Sequence, residues 1–328
     1  MSEAINLERA RVYVAGHRGL AGSAIHRALV SRGADHIINR SHEELDLTSQ
    51  ADVVNFFRAE RPEVVFLCAA KVGGILANDT YPAEFLYSNL AIQNNVIHQA
   101  WSSKVRRLVF LGSSCIYPRE CPQPMREEYL LTGPLEPTNR AYAIAKIAGL
   151  EACWSYNRQY GTEFVALMPT NMYGIGDNYH PENSHVFAAL IRKAHEAKVA
   201  KKKSITVWGS GKPRREFLCS DDVAKAALMV AEMSSGALAA AFPADAPPMI
   251  NVGAGVDISI RELIELVIEV VGYDGGIDWD ASRPDGTPQK LLDISRVRAL
   301  GWAPETTIRD GIALAYADYL EKINSKVA

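Results

Sequence analysis

An open α/β fold with a doubly wound, Rossmann-type parallel sheet and a smaller C-terminal lobe is predicted by three features of the sequence. The first is the apolar run Val12-Tyr13-Val14-Ala15, which leads into Gly16-His17-Arg18-Gly19-Leu20-Ala21-Gly22 and then into helical apolar spacing at Ala24, Ile25, Ala28 and Leu29. A buried strand, a glycine turn and an amphipathic helix form the first unit of a dinucleotide-binding sheet. The second is a set of continuous apolar runs, Val64 to Ala70 and Leu108 to Leu111 among them, as parallel strands covered on both faces require. The third is a break in the strand–helix alternation after Pro169-Thr170-Asn171-Met172-Tyr173-Gly174. The expected division is residues 1–174 plus about 217–256 for the dinucleotide-binding domain. Residues 175–216 plus about 257–328 would then form a substrate-binding lobe.

Composition sets the class. A chain of 328 residues, 48% hydrophobic and 22% charged, buries a large core, and a formal net charge of −3 offers no field for nucleic acid or an anionic membrane. The first ten residues hold no apolar leader-like stretch, and no apolar run reaches membrane-spanning length. Cysteines 68, 115, 121, 153 and 219 are odd in number and contain no CxxC pair, so neither a metal site nor a disulfide framework is expected. A cytoplasmic location fits.

In chain order, residues 36–38 read as a second strand ending near Arg40. An acidic residue there would select the ribose hydroxyls of NAD. Arg40 and the turn residue Arg18 instead suit a 2′-phosphate, which favours NADP, unless both are simply surface arginines. A helix is expected after Glu43–Asp46, running through Phe57 and ending before Pro62, and a long one over 82–101. Between 117 and 138 five prolines interrupt all periodicity, which suggests a substrate-side flap. Helices over 139–161, 185–198 and 259–272, strands over 163–168, 205–208 and 250–253, and a surface loop over 234–248 complete the reading.

Chemistry is concentrated at two places. Tyr142 and Lys146 are spaced i, i+4 on one helix face, where an ammonium would lower the phenol pKa and ready it for proton exchange with a carbonyl. Ser113, just past a strand's carboxyl end, could hydrogen-bond the same oxygen.

The ordered set of GxxGxxG, strand-end Ser113 and YxxxK resembles the extended short-chain dehydrogenase/reductase superfamily. Arg215-Glu216-Phe217 before Asp221-Asp222-Val223-Ala224, and Arg283 to Lys290 ahead of Leu300-Gly301-Trp302, match it as well. Three stretches are similar to the GDP-L-fucose synthase family: Gly112-Ser113-Ser114-Cys115-Ile116-Tyr117-Pro118, Ala69-Ala70-Lys71-Val72-Gly73-Gly74-Ile75, and Pro169 to Gly174 continuing through Asn183-Ser184-His185. The resemblance implies NADP(H)-dependent 3,5-epimerisation and 4-reduction of GDP-4-keto-6-deoxy-D-mannose. Cys115 would be the base, His185 the acid, and Tyr142 the proton donor with Lys146 and Ser113. It implies cofactor contacts from Gly16, His17, Arg18, Gly19, Leu20, Ala21, Gly22, Arg40, Leu111, Gly112, Ser113, Ser114, Tyr142, Lys146, Pro169, Thr170, Asn171, Met172 and His185. Lys193, Trp208, Arg215 and Lys290 would contact the GDP-sugar, and a homodimer would form through helices 82–101 and 139–160. Family members vary around Arg40 and His42, so the 2′-phosphate contact stays open among Arg18, Arg40 and His42. A dehydratase of the superfamily would carry an Asp-Glu pair where Ser114-Cys115 stands, and a UDP-sugar 4-epimerase would need no Cys/His pair. A non-catalytic NADP sensor would need no proton donor such as Tyr142.

Overall fold

Every position in the strands of the central sheet is buried, apart from the half-covered Ile37 at one edge, and all are apolar except Arg107 and Asn251. The computed structural model describes residues 3–181, 184–282 and 285–325; Asn183, Arg283 and Pro284 of the motifs above lie outside the described residues. The first half of the chain runs β1 (Val12–Ala15), α1 (Leu20–Ser31), β2 (Ile37–Ile38), α2 (Gln50–Glu60), β3 (Val64–Leu67), α3 (Ile75–Thr80), α4 (Pro82–Ser102), β4 (Arg107–Leu111), α5 (Arg140–Tyr160) and β5 (Phe164–Pro169). There follow β6 (Asn171–Tyr173), α6 (Val186–Val199), β7 (Ser204–Trp208), β8 (Arg214–Arg215), β9 (Phe217–Cys219), α7 (Ser220–Glu232), α8 (Ser235–Ala241) and β10 (Met249–Val252). The chain ends with β11 (Ile258–Ser259), α9 (Ile260–Val271), β12 (Gly276–Asp280), β13 (Gln289–Lys290), α10 (Ser295–Ala299) and α11 (Ile308–Asn324).

Six strands pair in the order β10-β5-β4-β3-β1-β2, all parallel. Helix α1 packs on α7, while α2, α4 and α5 pack together, so the sheet is covered on both faces. The sheet grows outward in both directions from β1. Its switch point therefore lies between β1 and β3, where such sheets bind ligands.

A second core gathers α6, α9 and α11 with the parallel pair β7–β12, around Phe187, Ile191, Leu263, Val267 and Ile312. Leu292, Ile294, Val297 and Trp302, late in the sequence, belong to the first core instead. The three-stranded sheet β11-β8-β13 lies alongside. No single helix among the described residues is long and apolar enough to cross a membrane.

Two expectations need correction. The 234–248 loop contains α8, because Ser234 caps the Ala237 N–H and the following alanines favour helix. The 117–138 flap is held down at its middle: Met125 exchanges backbone hydrogen bonds with Leu291 and Asp293, and buried Glu127 accepts the Asn251 N–H at 2.9 Å.

Arg107, 1% exposed at the start of β4, answers the last carbonyls of α7. Its guanidinium donates to Val230, Ala231 and Met233 oxygens at 2.8–3.0 Å and to Glu163 at 2.7 Å. Arg107→Met keeps volume but strands those acceptors, and should lower stability by about 3 kcal/mol. Urea unfolding measures this; a loss below about 1 kcal/mol would contradict the capping role.

Candidate active site

The glycine turn is shaped by contacts that no side chain tolerates. Gly16 has φ +84°, and a Cβ on it would sit 2.8 Å from the Ala69 backbone beyond β3. A Cβ on Gly22 would lie 2.1 Å from the Gly16 carbonyl oxygen. Gly19 enters α1 in extended conformation with no side-chain cap, and the first turn holds no acidic residue. The unpaired N–H groups of that turn and the positive helix end therefore face the switch point, a cradle that fits a pyrophosphate.

Arg40 follows β2 and donates to the Asn39 carbonyl at 2.7 Å, pairs with Glu60, and lies 5.7 Å from the Phe56 ring centre. Glu44, which accepts the Ser41 N–H at 2.7 Å, is held below the usual carboxylate range mainly by Ser41, with Arg40 and Arg18 adding to it. Exposed Arg18 and half-buried Arg40 thus share one field. His42 instead faces Asp46 at 3.9 Å.

At the next strand end, Gly112 donates to the Leu167 carbonyl at 2.8 Å, and Met168 fills the space a side chain would need. Ser113 accepts the Cys115 N–H at 3.2 Å, closing the short turn Ser114–Ile116. Its hydroxyl is near enough to the Tyr142 phenol to favour the tyrosinate, and Cys115 is close enough to disfavour it. One helical turn on, Lys146 is buried and donates to the Leu111 carbonyl at 2.6 Å, 5.8 Å from the Tyr142 ring centre and 4.7 Å from that of Phe110. Ser113, Cys115, Tyr142 and Lys146 therefore form one cluster.

The electrostatics of that cluster correct one expectation. Burial, then Cys115, pushes the Tyr142 phenol above its ordinary value, with Ser113 opposing. Lys146 does not lower it, because its own ammonium is desolvated and committed to Leu111.

Around this cluster, Thr170 donates its N–H to Val252 and its hydroxyl to the Glu216 carbonyl, and Asn171 donates to the same carbonyl at 2.9 Å. Pro169 and Met172 lie on β5 and β6, beside these two. His185 starts α6. Its ring meets solvent yet stands among protein, and this partial desolvation lowers its pKa from the ordinary value. Ser184 lies 3.6 Å from where a Gly74 side chain would begin, so the loop after β3 adjoins this segment. No hydrogen bond among the described residues joins His185 to Cys115 or Tyr142.

The four remaining candidates fall into two pairs connected through Ser210 and Asp285. Lys193 donates to the Thr206 carbonyl at 3.1 Å and sits 5.4 Å from the ring centre of Trp208, which is 63% exposed. Ser210, just beyond, bonds Asp285 at 2.6 and 2.9 Å, and Asp285 stabilises the charge on Arg215. Arg215 donates to Thr287 at 2.6 Å and registers with Lys290 across β8 and β13. Asp285 was not singled out from sequence, since an aspartate beside a glycine reads as ordinary turn chemistry.

The Lys146 pKa is pushed down to about 8 from an ordinary 10.5 by burial. Between those values the unfolded chain binds more protons than the folded one, so this residue makes stability rise with pH from about 8 to about 10.5. Unfolding free energies across that range should show the rise in the wild type and lose it in Lys146→Met; identical slopes would refute the assignment.

The NAD dependent epimerase/dehydratase family matches residues 12–253. The chain is 52% identical to GDP-L-fucose synthase 1 of Arabidopsis thaliana, covering 96% of this chain and 94% of that one. It is 51% identical to the GDP-L-fucose synthase of Escherichia coli K12, over 96% and 98% of the two chains. Among solved structures, a GDP-D-glycero-L-gluco-heptose synthase from Campylobacter jejuni, determined in the presence of NADPH, superposes with a TM-score of 0.90 at 37% identity, over 96% of this chain and all of that one. By fold, by motif and by this likeness over nearly its whole length, the chain belongs to the NAD dependent epimerase/dehydratase family, among its GDP-L-fucose synthases.

Proposed function

We propose that this chain is an NADP(H)-dependent enzyme that converts GDP-4-keto-6-deoxy-D-mannose to GDP-L-fucose, inverting C3 and C5 and then reducing C4 in one site. The observation that carries this reading is the shared location of the proton-donor set Ser113, Tyr142 and Lys146 with the Cys115 thiol. A reductase alone has no use for a thiol beside its phenol. The relatives named as GDP-L-fucose synthases support the same reading.

The glycine cradle and the α1 N-terminus would hold the cofactor pyrophosphate, with Arg18 and Arg40 at the 2′-phosphate. Leu111, Ser114, Thr170, Asn171 and Met172 would border the nicotinamide end. NADPH supplies the hydride that reaches C4. Arg215 and Lys290 would grip the diphosphate, and Trp208 with Lys193 would flank the nucleotide.

A C4 ketone acidifies the hydrogens on C3 and C5. Inversion then needs a base on one face of the sugar and an acid on the other. Cys115, acting through its thiolate, removes the proton, and His185 returns one to the opposite face. Burial lowers the His185 pKa, and an enolate beside it would draw that pKa back up, so that the ring takes a proton from the solvent it meets and passes it to carbon as imidazolium. Tyr142 then protonates O4, and its raised pKa keeps the phenol hydrogen in place until the alkoxide develops. Lys146 orients Tyr142 and meets the cofactor ribose. The dimer, in this reading, forms through α4 and α5, which expose Tyr87, Ile144 and Tyr160.

NADPH consumption with GDP-4-keto-6-deoxy-D-mannose is the direct test, and an absence of turnover overturns the proposal. Tyr142→Phe should cut reduction by about 100-fold or more while solvent deuterium still enters at C3 and C5. Cys115→Ser should suppress that exchange by a similar factor, about 100-fold, with NADPH affinity unchanged. Wild-type exchange in Cys115→Ser would remove Cys115 as the base.

A further inference from the structure

Glu216 is a fully buried carboxylate, 0% exposed, with no ion pair among the described residues. Its partners are N–H groups of the main chain. Oε1 accepts from Gly255 at 2.7 Å and Oε2 from Leu292 at 3.0 Å, and the Ala254 N–H also favours its charged form. Gly253 faces it so closely that a Cβ there would lie 2.4 Å from Oε1. The Glu216 backbone completes the junction: its N–H donates to Lys290 at 3.2 Å, and its carbonyl takes Asn171 and Thr170.

Three segments therefore converge on this residue. One is the step from β5 to β6 at Thr170 and Asn171, one is the turn after β10, and one is the strand bearing Lys290. Arg215 precedes Glu216 directly and registers with Lys290 across β8 and β13.

We infer that Glu216 is a positioning residue: its carboxylate ties the turn after β10 to Leu292, just beyond Lys290, while its own main chain meets Lys290, Thr170 and Asn171, so that the cations Arg215 and Lys290 place a nucleoside diphosphate relative to the nicotinamide. This inference rests on the reading of Arg215 and Lys290 as diphosphate ligands. The chemistry demands a carboxylate at this point. The surrounding groups are all donors, and a carboxylate offers acceptors only. An amide of the same shape would turn an NH₂ toward one of those N–H groups, releasing either the Leu292 strand or the Gly255 turn.

The test measures GDP and NADPH binding separately, by calorimetry on the full chain, with thermal melting to verify folding. Glu216→Gln should weaken GDP binding about tenfold or more while NADPH affinity stays within about twofold. A residue that merely stabilised the fold would weaken both ligands or neither. Gly253→Ala displaces the same carboxylate without changing its charge and should give the same split; it carries the measurement if Glu216→Gln does not fold. Equal GDP binding in the wild type and the folded variant overturns the inference alone. A wild type that binds no GDP overturns the nucleotide-sugar reading and this inference with it.

Discussion

The hydrogen bond from the Lys146 ammonium to the Leu111 carbonyl ties the site to the sheet. Burying an ammonium costs several kcal/mol of lost hydration, about the cost of any lone interior ion. The carbonyl at 2.6 Å and the faces of Phe110 and Tyr142 offset part of it. Because Leu111 ends β4, this contact locks α5 against the carboxyl edge of the sheet. Tyr142, one turn earlier, is thereby set beside Ser113, two residues past the same strand. Two packing details protect the arrangement. Gly149 leaves room for the Phe110 ring, where a Cβ would lie 2.6 Å away, and Gln93 on α4 donates to the Ala145 carbonyl at 2.6 Å.

The other side of the site depends on buried polar groups that are fully answered. Asn251 stands in the otherwise apolar β10 and is completely buried. It takes the Tyr117 hydroxyl, donates to the Met125 and Asp293 carbonyls, and gives its N–H to Glu127. Tyr117 is two residues past Cys115, so one asparagine fixes both the exit of the thiol-bearing turn and the proline-rich segment that follows. Satisfied networks of this kind specify a geometry, since each broken member strands a buried partner. Glu216 does the same between β5, β10 and β13.

The first domain was legible because its signals are local. Glycine spacing, apolar runs and the i, i+4 pair each lie within a few residues, and their physical meaning does not depend on distant chain. The second lobe was less so. Strands of two residues such as β8, β11 and β13 carry no periodicity to read. Partnerships across the chain were invisible for the same reason: Glu60 pairs with Arg40 from twenty residues away, and Leu111 meets Lys146 from thirty-five. Spacing placed Lys146 beside Tyr142 correctly, but spacing carries no information about desolvation. That is why the direction of the Tyr142 shift was misread.

Desolvation gives the cluster its chemical character. It is the leading cause of the shifts at Tyr142, Lys146, His185 and nearby Cys68, whose thiol it pushes up to about 12. Pairwise charges only modulate these values. The resting states that follow are mutually compatible: a phenol that keeps its proton, a neutral imidazole and an ammonium poised near neutrality. A site tuned chiefly by neighbouring charges would be adjusted residue by residue. One tuned by water exclusion is adjusted as a unit, because loosening the contact between α5 and the end of β4 returns Tyr142 and Lys146 toward their values in water together. The precision of the Lys146–Leu111 anchor is therefore a requirement of the acid–base chemistry as much as of the fold.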